Sequence, residues 1–321
     1  MVPGWFILFA LMPFDSAPKT RLSTLKSGMN AQAAADFPFL LPPAYLRKIE
    51  KSSTPEALIR QVLPSSDELL DVAGYTVDPL DEGPAENHGL IEKYAGRLLV
   101  MVTQACSGHC RFCFRRHFLD SPVKQSDIQA SFRQRMQEKD DISEVILSGG
   151  DPLVLSDRRL NDWFELIGKY PQVRRIRIHT REPVFSPERI TPELLTLFRD
   201  VPIPLVMAVH INHADELDNL SRDRLLQLQK AGVLLLTQTV LLKGVNDSAK
   251  TLAKLFERSV ECGMTPYYLH QLDRVAGAAH FAVERARGLQ IMQELKDKLP
   301  GYMVPRFVEE SPGKTSKLPI A

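Results

Sequence analysis

From residue 97 onward the chain alternates between two kinds of apolar pattern. Short β-branched runs occur at 98–103, 144–147, 174–179, 205–211, 233–241 and 265–271. Between them, at 127–138, 157–169, 192–199, 216–231, 247–262 and 282–299, apolar positions recur at helical spacing. Six strand–helix units in series predict a parallel sheet, because each crossover returns the chain to the same edge direction. A barrel or partial barrel of about (βα)6 is the natural closure, and an extended piece at 301–308 is a candidate addition to its wall. Before residue 97 the pattern is broken. Phe37-Pro-Phe-Leu-Leu-Pro-Pro43 cannot be a regular helix. Residues 44–49 and 55–62 read as short helices, 67–72 as a third, and 78–88 as a polar loop. The predicted organisation is a poorly ordered extension (1–36), an N-terminal helical segment (37–96), the barrel (97–308) and a C-terminal tail (309–321).

In such a barrel the chemistry collects at the C-terminal ends of the strands, and the distinctive residues fall there. Cys106-Ser-Gly-His-Cys110-Arg-Phe-Cys113 follows the first predicted strand and Ser148-Gly149-Gly150-Asp151 the second. His179-Thr-Arg181 ends the third, His210-Ile-Asn212 the fourth, and Asp273 follows the sixth. The first of these stretches holds three of the four cysteines. Three thiolates within eight residues can wrap one soft metal centre, yet a tetrahedral zinc or an all-cysteine cluster wants four ligands. The C-x3-C-x2-C spacing resembles that of the radical S-adenosylmethionine (SAM) enzymes. That resemblance implies a [4Fe–4S] cluster on Cys106, Cys110 and Cys113, with its open iron chelating SAM. The competing reading is zinc, with His117 or Cys262 as the fourth ligand. Cys262, isolated at the end of a predicted helix, otherwise reads as a small buried apolar residue.

Composition narrows the class. Across 321 residues, 44% hydrophobic and 25% charged content is ordinary for a globular enzyme. A net charge of +1 gives no whole-protein footprint for nucleic acid. The apolar run 5–12 ends at Pro13, well short of the ~20 residues that span a bilayer. It also lacks the basic flank and cleavage site of a signal peptide. The expectation is no membrane partner and a cytoplasmic protein, in keeping with an oxygen-sensitive cluster.

Further stretches resemble one family closely, the lysine 2,3-aminomutases, which are radical SAM enzymes dependent on pyridoxal 5′-phosphate (PLP) and built on a partial TIM barrel. The matching stretches are Cys113-Phe-Arg-Arg-His117-Phe118, Ser148-Gly-Gly-Asp-Pro-Leu153, Leu241-Leu-Lys-Gly-Val-Asn-Asp247, Pro266-Tyr-Tyr268, His280-Phe281 and Lys317-Leu-Pro319. The likeness covers about residues 37–321. It is greatest to the short bacterial branch that makes (R)-β-lysine for elongation factor P.

The resemblance implies roles for individual residues. Lys317 is the PLP lysine, with Lys314 as its rival; Arg97 and Tyr94 contact PLP, the planar fork of Arg97 suiting the phosphate. Ser148, Gly149, Gly150 and Asp151 form the turn that meets the amino group of SAM. Arg115 takes the substrate carboxylate, with Arg116 beside it a structural residue. Asp273 and Glu310 take the ε-ammonium, and His210 and Gln238 line the cofactor pocket. Position 310 departs from the longer enzymes, which use two aspartates, and Ser311–Ser316 replaces their glycine run.

The implied partners are free L-lysine, an external electron donor, and a separate ligase that passes β-lysine to elongation factor P. Each residue also has a blander reading: a surface lysine, a strand-capping arginine, a tight turn, a core histidine, a buried glutamine. For the whole chain the alternatives are a radical SAM enzyme without PLP acting on RNA or protein, an aminomutase for another amino acid, and a zinc-binding interaction module.

Overall fold

The computed structural model describes residues 28–83, 89–118, 124–138 and 140–320. One sheet organises them, with its strands in chain order: β1 (Leu90–Ile91), β2 (Arg97–Thr103), β3 (Glu144–Gly149), β4 (Arg175–Thr180), β5 (Leu205–His210), β6 (Leu234–Val240), β7 (Thr265–His270), β8 (Arg306–Glu309) and β9 (Leu318–Pro319). β2 to β8 are parallel neighbours, while β1 and β9 pair antiparallel at the two ends. The wall therefore has six strand–helix units and an unaccompanied seventh parallel strand, β8, which is the piece the sequence left as a candidate. Among the described residues the ladder stays open between its first and last strands, so the barrel is partial.

The helices are α1 (Ala31–Asp36), α2 (Pro43–Lys51), α3 (Pro55–Arg60), α4 (Gln125–Glu138), α5 (Asp157–Gly168), α6 (Glu182–Phe185), α7 (Pro192–Asp200), α8 (Asn219–Lys230), α9 (Ala249–Glu261) and α10 (Arg285–Lys298). Side-chain oxygens start several of them. Ser156, Thr191, Asp218 and Ser248 each accept from a backbone N–H in the first turn, and Thr191 precedes a proline at the first helical position. The predicted helix 216–231 begins only at Asn219 because Asp218 caps it there. Ahead of that cap, Ala214–Glu216 is a separate 3-10 turn.

The outward faces of the strands carry the core: Leu98, Val100, Val145, Leu147, Ile176 and Ile178 pack under the helices. Their inward faces alternate apolar residues such as Leu99, Ile146 and Leu236 with polar ones such as Arg177, His179 and Gln238, and enclose a cavity of about 780 Å³. That volume lies in the range of small-molecule sites, and the polar lining marks the interior as a site more than a packed core. No helix among the described residues is long and apolar enough to cross a membrane.

One expectation is corrected. The sequence pattern places residues 31–36 in a poorly ordered extension, whereas they form α1, capped by Asn30, whose Oδ1 accepts from Ala33 N at 2.9 Å. Its six residues are too few to show a period, and its order comes from tertiary contacts. Arg111, inside the cysteine loop and fully buried, donates to Ala33 O (3.0 Å) and Phe37 O (2.7 Å). It also donates to Glu68, which accepts from Arg116 Nη2 at 2.6 Å as well. Residues 1–27 lie outside the described residues. Glu68→Ala strands two buried guanidinium groups, so we expect a loss of about 3–5 kcal/mol in stability. Urea unfolding of the variant beside the parent protein measures it, as a lower midpoint at unchanged slope.

Candidate active site

Each cysteine of the loop faces the cavity. The loop is pinned from behind by the N-terminal segment, with His109 N donating to Leu40 O (3.0 Å) and Arg111 N to Gln61 O (2.8 Å). Burial raises all three thiols, Cys113 to about 11. Without a cation they stay protonated; a bound metal centre reverses this by drawing off the protons. Among the described residues no three His, Cys, Asp or Glu side chains converge on a single ion. A cubane does not ask for that convergence, since each cysteine takes a different corner. Neither proposed fourth zinc ligand is in the cavity: His117 Nε2 bonds to Ala276 O (3.2 Å), and Cys262 is fully buried beyond α9. The donor set thus fits a three-cysteine cluster.

The turn after β3 packs directly on that loop. Gly150 N donates to Thr103 O (2.7 Å) and Asp151 N to Ala105 O (2.8 Å). A Cβ on Gly149, where φ is +117°, would lie 2.1 Å from Thr103 O, and one on Gly150 would lie 2.2 Å from Ala105 O. Only glycines allow this approach. The Asp151 carboxylate is spent on structure: it accepts from Thr180 Oγ1 (2.7 Å), Arg181 N (2.6 Å) and Leu153 N (3.0 Å), tying the ends of β3 and β4 together.

The charged residues form one chain of contacts along the cavity. Arg115 donates through Nε (2.6 Å) and Nη2 (3.1 Å) to the Glu82 carboxylate, and through Nη1 to Ser148 Oγ (3.1 Å). Lys93 bridges Glu82 (3.0 Å) and Glu310 (3.2 Å). Lys317 pairs with the other oxygen of Glu310. The β8–β9 register explains that pair: Val308 faces Pro319 and Glu309 faces Leu318, so the next step sets Glu310 opposite Lys317. These two lysines hold Glu310 down to about 2 despite its burial. Asp273 has no ion-pair partner among the described residues; burial, then the charge of Glu310, pushes its carboxyl up to about 7. Lys314 is exposed at the hairpin turn, away from the cavity.

Tyr94 and Arg97 also line the cavity, with the Arg97 guanidinium 5.4 Å from the Tyr94 ring centre. Arg97 stands at the start of its strand, unlike the other predicted site residues. The Tyr94 phenol is raised by burial and by Glu310, to which it bonds. His210 is brought down to about 3 by burial and the nearby Arg181 charge, so its ring is neutral; its Nε2 sits 3.1 Å from Asn212 Nδ2. Gln238 is half-buried against the cavity, not sealed in the core.

A model of the Radical SAM superfamily matches residues 100–256. The L-lysine 2,3-aminomutase of Escherichia coli is 39% identical over 315 residues, covering 98% of this chain and 90% of that protein. That of Haemophilus influenzae is 38% identical and covers 88% and 84%; that of Acetoanaerobium sticklandii is 36% identical and covers 87% and 68%. The chain belongs to the L-lysine 2,3-aminomutase family of radical SAM enzymes. These are isomerases, and the radical SAM domain implies a [4Fe–4S] cluster and SAM.

Within this aminomutase fold, sequence reasoning missed Glu82 and Lys93, which sit in or beside a polar loop and look like solvated charges. It named His179 only within the stretch that ends the third strand, without a role, and did not single out His270. Both line the cavity, and the Nε2 atoms of both are buried with no hydrogen-bond partner among the described residues. Burial keeps both rings neutral, with the charges of Arg177 and Lys317 respectively as the second cause. Their position at the ends of β4 and β7 was the one available signal. Orphaned polar atoms in a polar cavity suit a polar cofactor such as PLP.

Proposed function

We propose that this protein is a PLP-dependent lysine 2,3-aminomutase that converts L-α-lysine to (R)-β-lysine. Cys106, Cys110 and Cys113 hold the cluster, and the Ser148–Asp151 turn, packed on the cysteine loop through Gly149 and Gly150, meets the SAM amino group. Lys317 holds PLP through its ε-amine, flanked by Tyr94 and Arg97, with His210 and Gln238 on the pocket wall. When bound, cluster and SAM supply a carbon-centred radical, and PLP supplies the electron sink for the migrating amino group.

The observation that carries the substrate assignment is Asp273, a cavity carboxylate next to Glu310 without a cation of its own. A substrate ammonium supplies the missing charge. Arg115 has five N–H donors; Glu82 takes one side of the fork and Ser148 one more hydrogen, which leaves donors for a substrate carboxylate. A side chain is thereby measured between a cationic and an anionic anchor. An anionic side chain such as that of glutamate would meet Glu310 and Asp273 with repulsion.

The ionisation of Asp273 sets the pH dependence. Its carboxyl must be charged to attract ammonium, so kcat/KM for lysine falls as pH drops through about 7. Asp273→Asn removes that acid limb and raises KM about ten- to a hundred-fold, the loss of one charge-assisted contact. A steady-state pH profile of both proteins tests this; an unchanged acid limb in the variant refutes the role. The wording Cys-Phe-Arg-Arg-His-Phe supports a further step, in which a separate ligase attaches the β-lysine to elongation factor P. Reduction of the cluster needs an external one-electron donor.

A further inference from the structure

Arg181 follows β4 directly and is one of the most enclosed charges in the molecule, 5% exposed. Its Nη1 lies 2.7 Å from the Sγ of Cys110. Its Nη2 donates to Glu216 Oε1 and to Gln61 Oε1, each at 2.6 Å, and its guanidinium lies 4.3 Å from the Phe185 ring centre. Glu216 has no exposed surface at all. Besides Arg181 it accepts from Tyr45 Oη (2.7 Å) on one oxygen, and from the N–H groups of Asn212 (2.7 Å) and His213 (2.9 Å) on the other. Four donors hold it as a carboxylate, down to about 2. The pair is thus a fixed dipole aimed at one cysteine, with its positive end in contact and its negative end one shell behind. Neither member of the pair is among the residues assigned above to lysine or PLP, although Arg181 lines the same cavity and its charge reaches His210.

We propose that the Arg181–Glu216 pair sets the reduction potential of the cluster through Cys110, with Arg181 a positioning residue for that ligand. This rests on the reading of Cys110 as a cluster ligand. The potential of an iron–sulfur centre depends on hydrogen bonds to its sulfurs and on nearby charge. An N–H donor on a ligating thiolate draws electron density from it. A buried cation in contact stabilises the form of the cluster that has gained one electron from a low-potential donor. Burial leaves these effects little screened by water or salt. Arg181 cannot release its proton in the accessible range, so its contribution is constant with pH. Glu216 opposes it from farther away, which tempers the shift and balances the buried charge. A merely structural pair would show no preferred sign; a tuning pair must show opposite signs for its two members.

The test is a mediated redox titration of anaerobically reconstituted protein, following the electron paramagnetic resonance signal of the reduced cluster with no SAM, lysine or PLP present. Iron and labile sulfide are measured on every sample. Arg181→Gln moves the midpoint to more negative potential, Glu216→Gln moves it to more positive, and Arg181→Lys, which keeps the charge, stays nearer the parent protein. If Arg181→Gln retains no cluster, the positive shift of Glu216→Gln decides, with Arg181→Lys staying near the parent protein; where both singles load, the double variant falls between them. Unchanged midpoints at full iron content, or shifts of the same sign for both singles, overturn the proposal. Cys110→Ala separates the underlying assumption: loss of iron there supports Cys110 as a ligand, and parental iron content overturns it independently of any shift in potential.

Discussion

Cys113→Ala empties the protein of its cluster and abolishes turnover. The loop supplies three thiols to the cavity, and in the proposed site each would ligate the cluster, which leaves one iron for SAM. Removing one thiol opens a second iron in a pocket whose remaining cysteines are raised by burial and gain nothing from staying ionised without metal. The fourth cysteine does not stand by to replace it, since Cys262 is fully buried at the C-terminal end of α9. Cys262→Ala therefore keeps full iron and activity and gives up only packing around the lost sulfur. Iron and sulfide analysis of the two variants after identical reconstitution reads the contrast directly. Loss of the cluster in Cys262→Ala, or a parent protein that takes up zinc alone, contradicts the assignment.

Lys317→Ala removes PLP binding and lowers turnover by roughly a thousandfold or more. Two contributions are lost at once. One is the ε-amine that holds the cofactor; the other is one of the two lysine cations that pair with Glu310 before the cofactor takes that amine. Lys317→Arg separates them, because arginine preserves the pair with Glu310 but cannot form an imine. It is expected to keep the stability of the hairpin and lose the PLP absorption band. Borohydride reduction of the holoenzyme followed by peptide mapping locates the pyridoxyl group. The label is expected on Lys317; label on Lys314, which is exposed at the hairpin turn, overturns the assignment.

How legible these features are in the sequence follows from how local they are. The strands of the wall are buried on one face by helices, so each appears as a β-branched run, and the cysteine loop and glycine turn announce themselves at the strand ends. β8 is four residues long and has no following helix, so periodicity alone leaves it ambiguous. α1 owes its order to an arginine almost eighty positions away. The pairs Glu82–Arg115, Glu68–Arg111 and Glu216–Arg181 join residues 33, 43 and 35 positions apart. Nothing in the sequence distinguishes such charges from solvated ones until the barrel brings them together. Lys317 and Glu310 are the opposite case: a seven-residue separation and one hairpin register put them face to face.

The most direct test of the central claim is the product formed from free L-lysine by the reconstituted protein, incubated anaerobically with SAM, PLP and dithionite and resolved by chiral chromatography beside parallel reactions on ornithine and glutamate. The expected result is (R)-β-lysine from lysine, less product from the shorter ornithine, and none from glutamate. Turnover of glutamate equal to or faster than that of lysine, or conversion of lysine only within a protein chain, would contradict it.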